Sequence, residues 1–298
     1  MPIDPRHVTL VLAISSHGSF SAAAAALNTS QPALSNRIAM LERELGAKVF
    51  VRNRFGVTLT EVGQLLLRHA RAIDASIGQI CSEIEMRKRG VEGPVTIGST
   101  PVSSYELIPR ALGHLSDAQI ALSVVEDLDE ILMDKLRSGE LDLLVGTIGS
   151  VPKSIVQEPL AKFSAVLAVS ANNKLAARRS ISLAEVSDLQ WAVPFRGGAY
   201  WRYLEAMFIN NGLPFPQNYW TFGSAVSLKG TVQHTNCVAI LPRHFMRVEE
   251  RAGVLKAIRL IDTSPSRRIG VMYDRYRALS PVAERFKAIL HQVADKIR

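Results

Sequence analysis

Four small polar residues without charge lie close together near the N-terminus of this 298-residue chain. Ser30, Gln31, Ser35 and Asn36 carry hydroxyl and amide groups, which can exchange hydrogen bonds with the edges of nucleic-acid bases. A helix that begins here would add free backbone amides and a partial positive charge, and both suit a phosphate. The group predicts contact with a nucleic acid, whereas any one of these residues alone would be an ordinary solvated side chain.

The sequence before these residues is typical of a tight pair of helices. Ser19 or Ser21 can cap a helix that runs through five consecutive alanines, and Asn28 tolerates the left-handed backbone of a turn. Ser30 can cap the next helix, where Pro32 costs little because first-turn amides have no acceptor within the helix. Small alanines allow two helices to approach closely. We therefore expect the alanine-rich helix to support the next one and leave its polar start exposed.

That next helix is predicted to have one apolar and one polar face. Leu34, Ile38, Leu41 and Leu45 follow each other at spacings of 4, 3 and 4 residues, which places them on one stripe. A basic segment with a glycine follows and has the pattern of a hairpin, the wing of a winged helix-turn-helix. The predicted DNA contacts are Ser30, Gln31, Pro32, Ala33, Ser35, Asn36, Arg37, Arg52, Asn53 and Arg54.

A long helix is predicted after the hairpin. No proline occurs between Thr60 and Arg89, and apolar residues repeat at spacings of 4, 3, 4, 3 and 4. Such a seam has no core of its own to pack against, so we predict that it pairs with a second copy of the chain. The seam residues are Leu66, Ala70, Ile73, Ile77, Ile80 and Ile84.

Beyond a predicted hinge at Arg87–Pro94, predicted strands alternate with predicted helices. This alternation favours βαβ units with a mainly parallel sheet and is long enough for two α/β lobes. In such folds ligands bind beyond the carboxyl ends of the strands, where helices begin. The residues predicted to bind a small ligand at these positions are Ser99, Thr100, Ser103, Arg196, Gly197, Trp201 and Ser224.

The types of these residues suggest an anion. Hydroxyls and amides at the first strand end, together with Arg196 as a clamp and Trp201 as an aromatic wall, fit a small organic carboxylate. Two alternatives stay open: Ser103 or Ser104 could simply cap a helix, and Arg202 could be a solvated surface charge.

The segment from Ser19 to Ile73 closely resembles the N-terminal region of LysR-type transcriptional regulators. The similarity lies in the alanine-rich helix, in "SQPALS" at Ser30–Ser35, in "LERELG" at Leu41–Gly46 and in Leu59-Thr60 before Gly63. The segments "KLRSGELDLLVG" and "VAILP" are similar to the effector domain of the same family. Two departures are Phe55, where the family's wing commonly has a basic residue, and Thr235 with Cys237, where the family has glycines.

This resemblance implies a homo-oligomer, a dimer that assembles further into a tetramer, which binds double-stranded promoter DNA under the control of a small-molecule effector. The expected division is a winged helix-turn-helix over 1–60, a dimerising linker helix over 61–90 and an effector-binding domain over 91–298. The last is a periplasmic-binding-protein-like α/β domain with lobe I at about 91–161 and 267–298 and lobe II at about 162–266.

Two other classes of protein compete with this interpretation. An enzyme would need a catalytic motif, but no nucleophile elbow, phosphate loop or dinucleotide fingerprint occurs, and His234 with Cys237 is too small a set for a metal. A two-lobed solute-binding protein without a role in transcription would explain the second part of the chain. It would leave the first 90 or so residues without a function. We expect no catalysis, cofactor or metal.

Composition sets the remaining limits. The net charge of +8 permits a polyanionic partner, and no apolar run is long enough to cross a bilayer. Two unpaired cysteines and the absence of a basic leader before Val8 predict a cytoplasmic location without disulfides.

Overall fold

A computed structural model describes residues 3–53, 56–115, 119–261 and 266–295. The chain divides into two compact units, one formed by residues 1–94 with 137–141 and the other by residues 95–136 with 142–298. The elements that begin in the first unit are α1 Pro5–His17, α2 Phe20–Ala26, α3 Gln31–Leu45, β1 Phe50–Asn53, β2 Gly56–Leu59, α4 Glu61–Lys88 and β3 Glu92–Ser99.

The helix boundaries in the first unit follow from local sequence signals. The Ser19 hydroxyl accepts a hydrogen bond from the Ala22 amide and caps α2, while Asn28 has a positive φ of 51° in the following turn. Ser30 caps α3 by accepting from the Ala33 amide at 3.3 Å. The predictions for both helices are confirmed, with Ser19 rather than Ser21 as the cap.

The alanines of α2 are the reason that α2 and α3 pack closely. Ala23 and Ala24 are buried in the same core as Leu34, Ile38 and Leu41 of α3. Side chains this small let the two helix backbones approach, while the wider apolar stripe of α3 fills the core. The opposite side of α3 is therefore left in solvent.

The wing is a two-stranded antiparallel hairpin in which Phe50 pairs with Leu59 and Asn53 pairs with Gly56. Its position is set by a hydrogen bond from the Val57 amide to the Gly18 carbonyl at the end of α1. Arg54 and Phe55, at the turn of the hairpin, lie outside the described residues.

The second unit is built on an eight-stranded sheet. Its elements after β3 are α5 Pro101–Gly113, β4 Ile120–Glu126, α6 Asp129–Ser138, β5 Leu143–Thr147, β6 Ile155–Ser170, β7 Ser180–Ile181, β8 Trp191–Pro194, α7 Ala199–Asn210, β9 Tyr219–Phe222, α8 Ala225–His234, β10 Ala239–Pro242, α9 Arg247–Arg251, β11 Leu255–Leu260, β12 Ser266–Asp274 and α10 Pro281–Asp295. The strand order is β4-β3-β5-β12-β6-β11-β7, with β10 also paired to β6.

The sheet is mixed rather than mainly parallel, which corrects the prediction. The pairs β3 with β5 and β11 with β7 are parallel, whereas β12 is antiparallel to both β5 and β6. The long β6 contributes Leu160 to one hydrophobic core and Leu167 to another, so it passes through two lobes. A strand that crosses between lobes produces no βαβ signal in the sequence, which is why the alternation did not reveal it.

Candidate functional site

The N-terminal half of α3 carries an exposed polar surface. Ser30, Asn36 and Arg37 are exposed, as is Pro32, while Leu34 between them is completely buried. Gln31 and Ser35 are half-buried, and the Gln31 amide nitrogen donates to the Ser35 hydroxyl at 2.8 Å. One face of a stable helix thus offers amide, hydroxyl and guanidinium groups to a partner, and the fold holds this face in place.

The wing follows this helix directly, and a buried carboxylate holds the two together. Glu42 of α3 accepts hydrogen bonds from the backbone amides of Val49 at 2.9 Å and Phe50 at 3.2 Å, and from the Lys48 amine at 2.7 Å. Burial opposes ionisation of Glu42, but these donors outweigh it and lower the pKa of the carboxyl group. Arg52 and Asn53, predicted to contact DNA, lie on β1 of this wing.

The linker helix α4 is anchored at its start and exposed along the rest of its seam. Leu66 and Ala70 are buried in the core of the first unit, but Ile73, Ile77 and Ile80, and Ile84 beyond them, are exposed. About half of each of these isoleucine side chains faces solvent in the single chain. These four aligned isoleucines form an apolar strip that would remain exposed to solvent in a monomer.

In the second unit a cavity of about 840 Å³ lies where the two lobes meet. Its walls are largely aromatic and aliphatic, and helices α5, α7 and α8 begin at its edge. A volume of this size suits a small organic molecule.

Three of the seven residues predicted to bind a ligand line this cavity, namely Thr100, Trp201 and Ser224. Ser224 caps α8 by accepting from the Ser227 amide, and Trp201 is buried in the core of the second lobe and borders the cavity. These three come together because each lies at or near the start of a helix that points toward the space between the lobes.

The other predicted residues are not part of the cavity lining. Ser99 and Ser103 are completely buried, and the Ser103 hydroxyl lies 3.2 Å from that of Thr100. Arg196 is exposed, donates to the Tyr219 hydroxyl at 3.0 Å and lies over the Trp201 ring; its neighbour Gly197 is exposed as well. The predictions for these four residues find no support in the lining.

Helix α5 begins at Pro101, earlier than predicted, so Ser103 and Ser104 lie in its first turn instead of at its cap. The Ser104 hydroxyl is buried at the cavity wall and has no hydrogen-bond partner among the described residues. The alternative in which these serines only cap the helix is therefore wrong for this structure.

The cavity also contains charged residues that the sequence did not single out. Asp129 lies at the start of α6 and Arg267 near the start of β12, and both line the space. Burial raises the pKa of Asp129, although the nearby Arg267 acts against that shift. Asp129 could have been suspected from its place just after a strand. Arg267 could not, since its place beside the cavity depends on the pairing of β12 with β6, which is a tertiary feature.

A helix-turn-helix with an exposed polar helix and a second unit with a cavity between two lobes define a class: DNA-binding regulators that respond to a small molecule. Comparison with known proteins specifies this class. Residues 5–64 match the family model for the bacterial regulatory helix-turn-helix proteins of the lysR family, and residues 88–295 match the LysR substrate binding domain. The chain belongs to the LysR family of transcriptional regulators and has both of that family's domains, one for DNA and one for an effector.

Individual relatives and solved structures match nearly the whole chain. The transcriptional regulator GbpR of Azospirillum brasilense is 27% identical over 297 residues, which covers 97% of this chain and 86% of that protein. ArgP from Mycobacterium tuberculosis has the same fold, with a TM-score of 0.71 at 18% identity, covering 98% of this chain and 97% of that one. CbnR in complex with its target DNA matches with a TM-score of 0.64 at 19% identity, covering 98% and 100%.

Within the described parts of the chain, no helix is both long and apolar enough to span a membrane.

Proposed function

We propose that the protein is a cytoplasmic, non-enzymatic regulator that binds promoter DNA through the exposed face of α3. Its binding to DNA changes when a small organic carboxylate enters the cavity of the second unit. The observation that carries the proposal is the exposed polar face of α3 in a chain whose second unit encloses a cavity of about 840 Å³. Thr100, Ser224 and Ser104 supply hydroxyl groups to that cavity, which supports a ligand with hydrogen-bond acceptors.

In the first unit, the residues that we propose to contact DNA are Ser30, Gln31, Asn36 and Arg37 on or beside α3, with Arg52 and Asn53 from the wing. The phosphates would be held by the amides at the start of α3 and by the arginines, while the amide side chains would read base edges in the major groove. The CbnR structure was solved with target DNA bound, and a similar fold supports a similar mode of docking here.

We further propose that the functional form is a dimer through α4, assembled into a tetramer. The support is the exposed isoleucine strip of α4, which a second copy would cover. Two copies of α3 would then contact two half-sites of an operator.

One experiment tests the central proposal. The purified protein is incubated with fragmented genomic DNA at modest ionic strength, and the retained fragments are sequenced with and without a panel of organic acids. We expect a small set of fragments that share a two-fold symmetric site, with retention altered by at least one acid. Retention of no fragment, or of all fragments equally, would contradict the role in DNA recognition.

The nature of the effector is tested separately by calorimetry. Organic acids and neutral sugars are titrated into the full-length protein. Binding of a sugar together with failure of every acid would reject the carboxylate while leaving the role in transcription intact.

A further inference from the structure

The cavity has an apolar body and a single cationic end, and this division limits which ligand it can accept. Aliphatic and aromatic side chains from both lobes form the body, the aromatic ones including Tyr105, Phe163, Tyr200, Trp201, Phe222 and Phe245. Such walls favour flat or extended apolar groups. The body of the ligand is therefore expected to be apolar.

Arg267 is the only cation among the described residues that line this cavity, where the acidic side chains are Glu126, Asp127 and Asp129. Asp127 is paired with Lys135 at 3.5 Å. One guanidinium among several carboxylates can balance one anionic group of a ligand. A second anionic group elsewhere in the cavity, away from Arg267, would meet either apolar walls or like charge, and both are costly.

The guanidinium of Arg267 is free to bind an anion. Its central carbon lies 5.5 Å from the ring centre of Tyr200 and 5.4 Å from that of Tyr203. In the described part of the chain it makes neither a hydrogen bond nor an ion pair, and Asp129 influences it only electrostatically. The two tyrosine rings hold the planar group in place while its N–H donors remain unused, which is the arrangement that suits a carboxylate.

A second unused donor lies nearby. The Tyr203 hydroxyl is buried without a hydrogen-bond partner among the residues described, and burial raises the pKa of Tyr203 to about 12, so the group stays protonated. Tyr203 and Arg267 both line a shallower recess of about 570 Å³ that adjoins the cavity and shares Thr147, Ala199 and Arg267 with it. A buried donor left unpaired is costly, and an anion placed here would relieve that cost.

The surroundings of the recess make this end of the cavity positive. Lys162 and Arg268 face each other in the register of β6 and β12, and both line the recess together with Arg202. Like charges directly opposite one another on neighbouring strands repel. Their combined field favours an anion at this end, although Arg202 is already paired with Glu130.

We propose that the effector is an apolar monocarboxylic acid whose carboxylate binds Arg267 and the Tyr203 hydroxyl, with its aromatic or aliphatic body in the aromatic part of the cavity. This inference rests on the proposed effector role of the cavity and assigns the ionic contact to Arg267, whereas the sequence pointed to Arg196.

The test uses isothermal titration of the full-length protein with phenylacetate and hexanoate, the dicarboxylate adipate and the neutral phenylacetamide. We expect one or both monocarboxylates to bind, with adipate and phenylacetamide at least 10-fold weaker. Arg267→Gln should weaken monocarboxylate binding by about 10- to 100-fold, and Tyr203→Phe by a smaller factor. Arg267→Lys should recover part of the affinity because it keeps the charge but not the planar fork.

The matched control is Arg251→Gln, which removes the same charge from an exposed position on α9 outside the cavity. It should bind as the unmodified protein does, and all variants should share its unfolding temperature. Unchanged binding by Arg267→Gln, loss through Arg196→Gln instead, equal binding of adipate, or binding of no monocarboxylate would each overturn the inference. Retention of specific genomic fragments would be unaffected by any of these results, so a failure here is distinguishable from a failure of the regulator proposal.

Discussion

At the scale of single residues, the exposed amide of Asn36 is the group that we propose to read a base. We expect Asn36→Ala to weaken binding to a specific operator by about 1–3 kcal/mol while binding to unrelated DNA changes little, because base contacts add specificity and phosphate contacts do not. Gln64→Ala is a matched control, since it removes an exposed amide from α4. Titrations of operator and random duplexes at one salt concentration provide the measurement. An unchanged preference for the operator would show that another face of the unit reads the sequence.

Glu42 is a buried residue whose function is structural. Glu42→Ala leaves the amides of Val49 and Phe50 without their acceptor, which should cost about 1–3 kcal/mol of local stability. Because the folded pKa of Glu42 is lowered, the stabilisation is complete above the ordinary value of 4.5 and is lost as the pH falls through the folded value.

Hydrogen exchange of the Val49 and Phe50 amides at neutral pH measures this effect. Both should exchange faster in Glu42→Ala and normally in Glu44→Ala, which removes an exposed carboxylate from the same helix. Equal protection in the two variants would mean that the carboxylate does not hold the wing.

At the scale of elements, the exposed strip of α4 predicts assembly. We expect Ile77→Glu combined with Ile80→Glu to dissociate the proposed dimer, since charges in a closely packed apolar seam remain unpaired. Ser82→Glu adds a charge to another face of the same helix and should leave the dimer intact. Sedimentation over a range of concentrations distinguishes monomer, dimer and tetramer. Persistence of the same oligomer in the doubly substituted protein would show that assembly uses a different surface.

Glycine at position 63 illustrates how tightly α4 is fitted to the wing. A Cβ atom built there would lie 2.1 Å from the Val49 carbonyl oxygen, far inside any allowed contact. In the sequence, Gly63 is recognisable only as the glycine that follows Leu59-Thr60 in the family resemblance. The reason for it is a close approach of two backbones, which belongs to the packing of elements.

At the scale of the whole second unit, the junction of the lobes contains a buried histidine. The His244 ring lies 3.9 Å from the Phe163 ring, and its Nε2 atom is 3.4 Å from the Val102 carbonyl oxygen. Burial lowers the pKa of His244; Glu106 acts against this shift and Arg247 adds to it. The neutral ring is thus the form that the junction accommodates.

This arrangement predicts a pH-dependent stability. Above the ordinary value of 6.5 both folded and unfolded chains hold a neutral ring, and below it the unfolded chain takes up a proton that the folded one resists. The unfolding temperature should therefore fall as the pH is lowered below about 6.5, and His244→Phe should reduce that fall. His114→Gln removes an exposed histidine and serves as the control. Calorimetric scans measure the effect, and identical pH dependence with and without His244 would contradict it.

Sequence alone determined those features that depend on local chemistry. Ser30 as a cap, Asn28 in a turn, the apolar stripe of α3 and the unbroken length of α4 each follow from a few neighbouring residues, because caps, turns and periodicity act over one or two helical turns. The same locality explains why Thr100 and Ser224 were found: each lies where a strand ends and a helix begins.

Only the tertiary structure decided which distant residues meet. Arg267 and Tyr203 are 64 positions apart and line one recess because the folding of the whole unit brings β12 and α7 together, and no local pattern encodes that contact. Arg196, by contrast, has the right chemistry and sequence position for a clamp, but its guanidinium lies against Tyr219 and Trp201 on the outside. The residue types determine which interactions each side chain can make. The geometry of a site that spans two lobes arises from the folding of the whole unit.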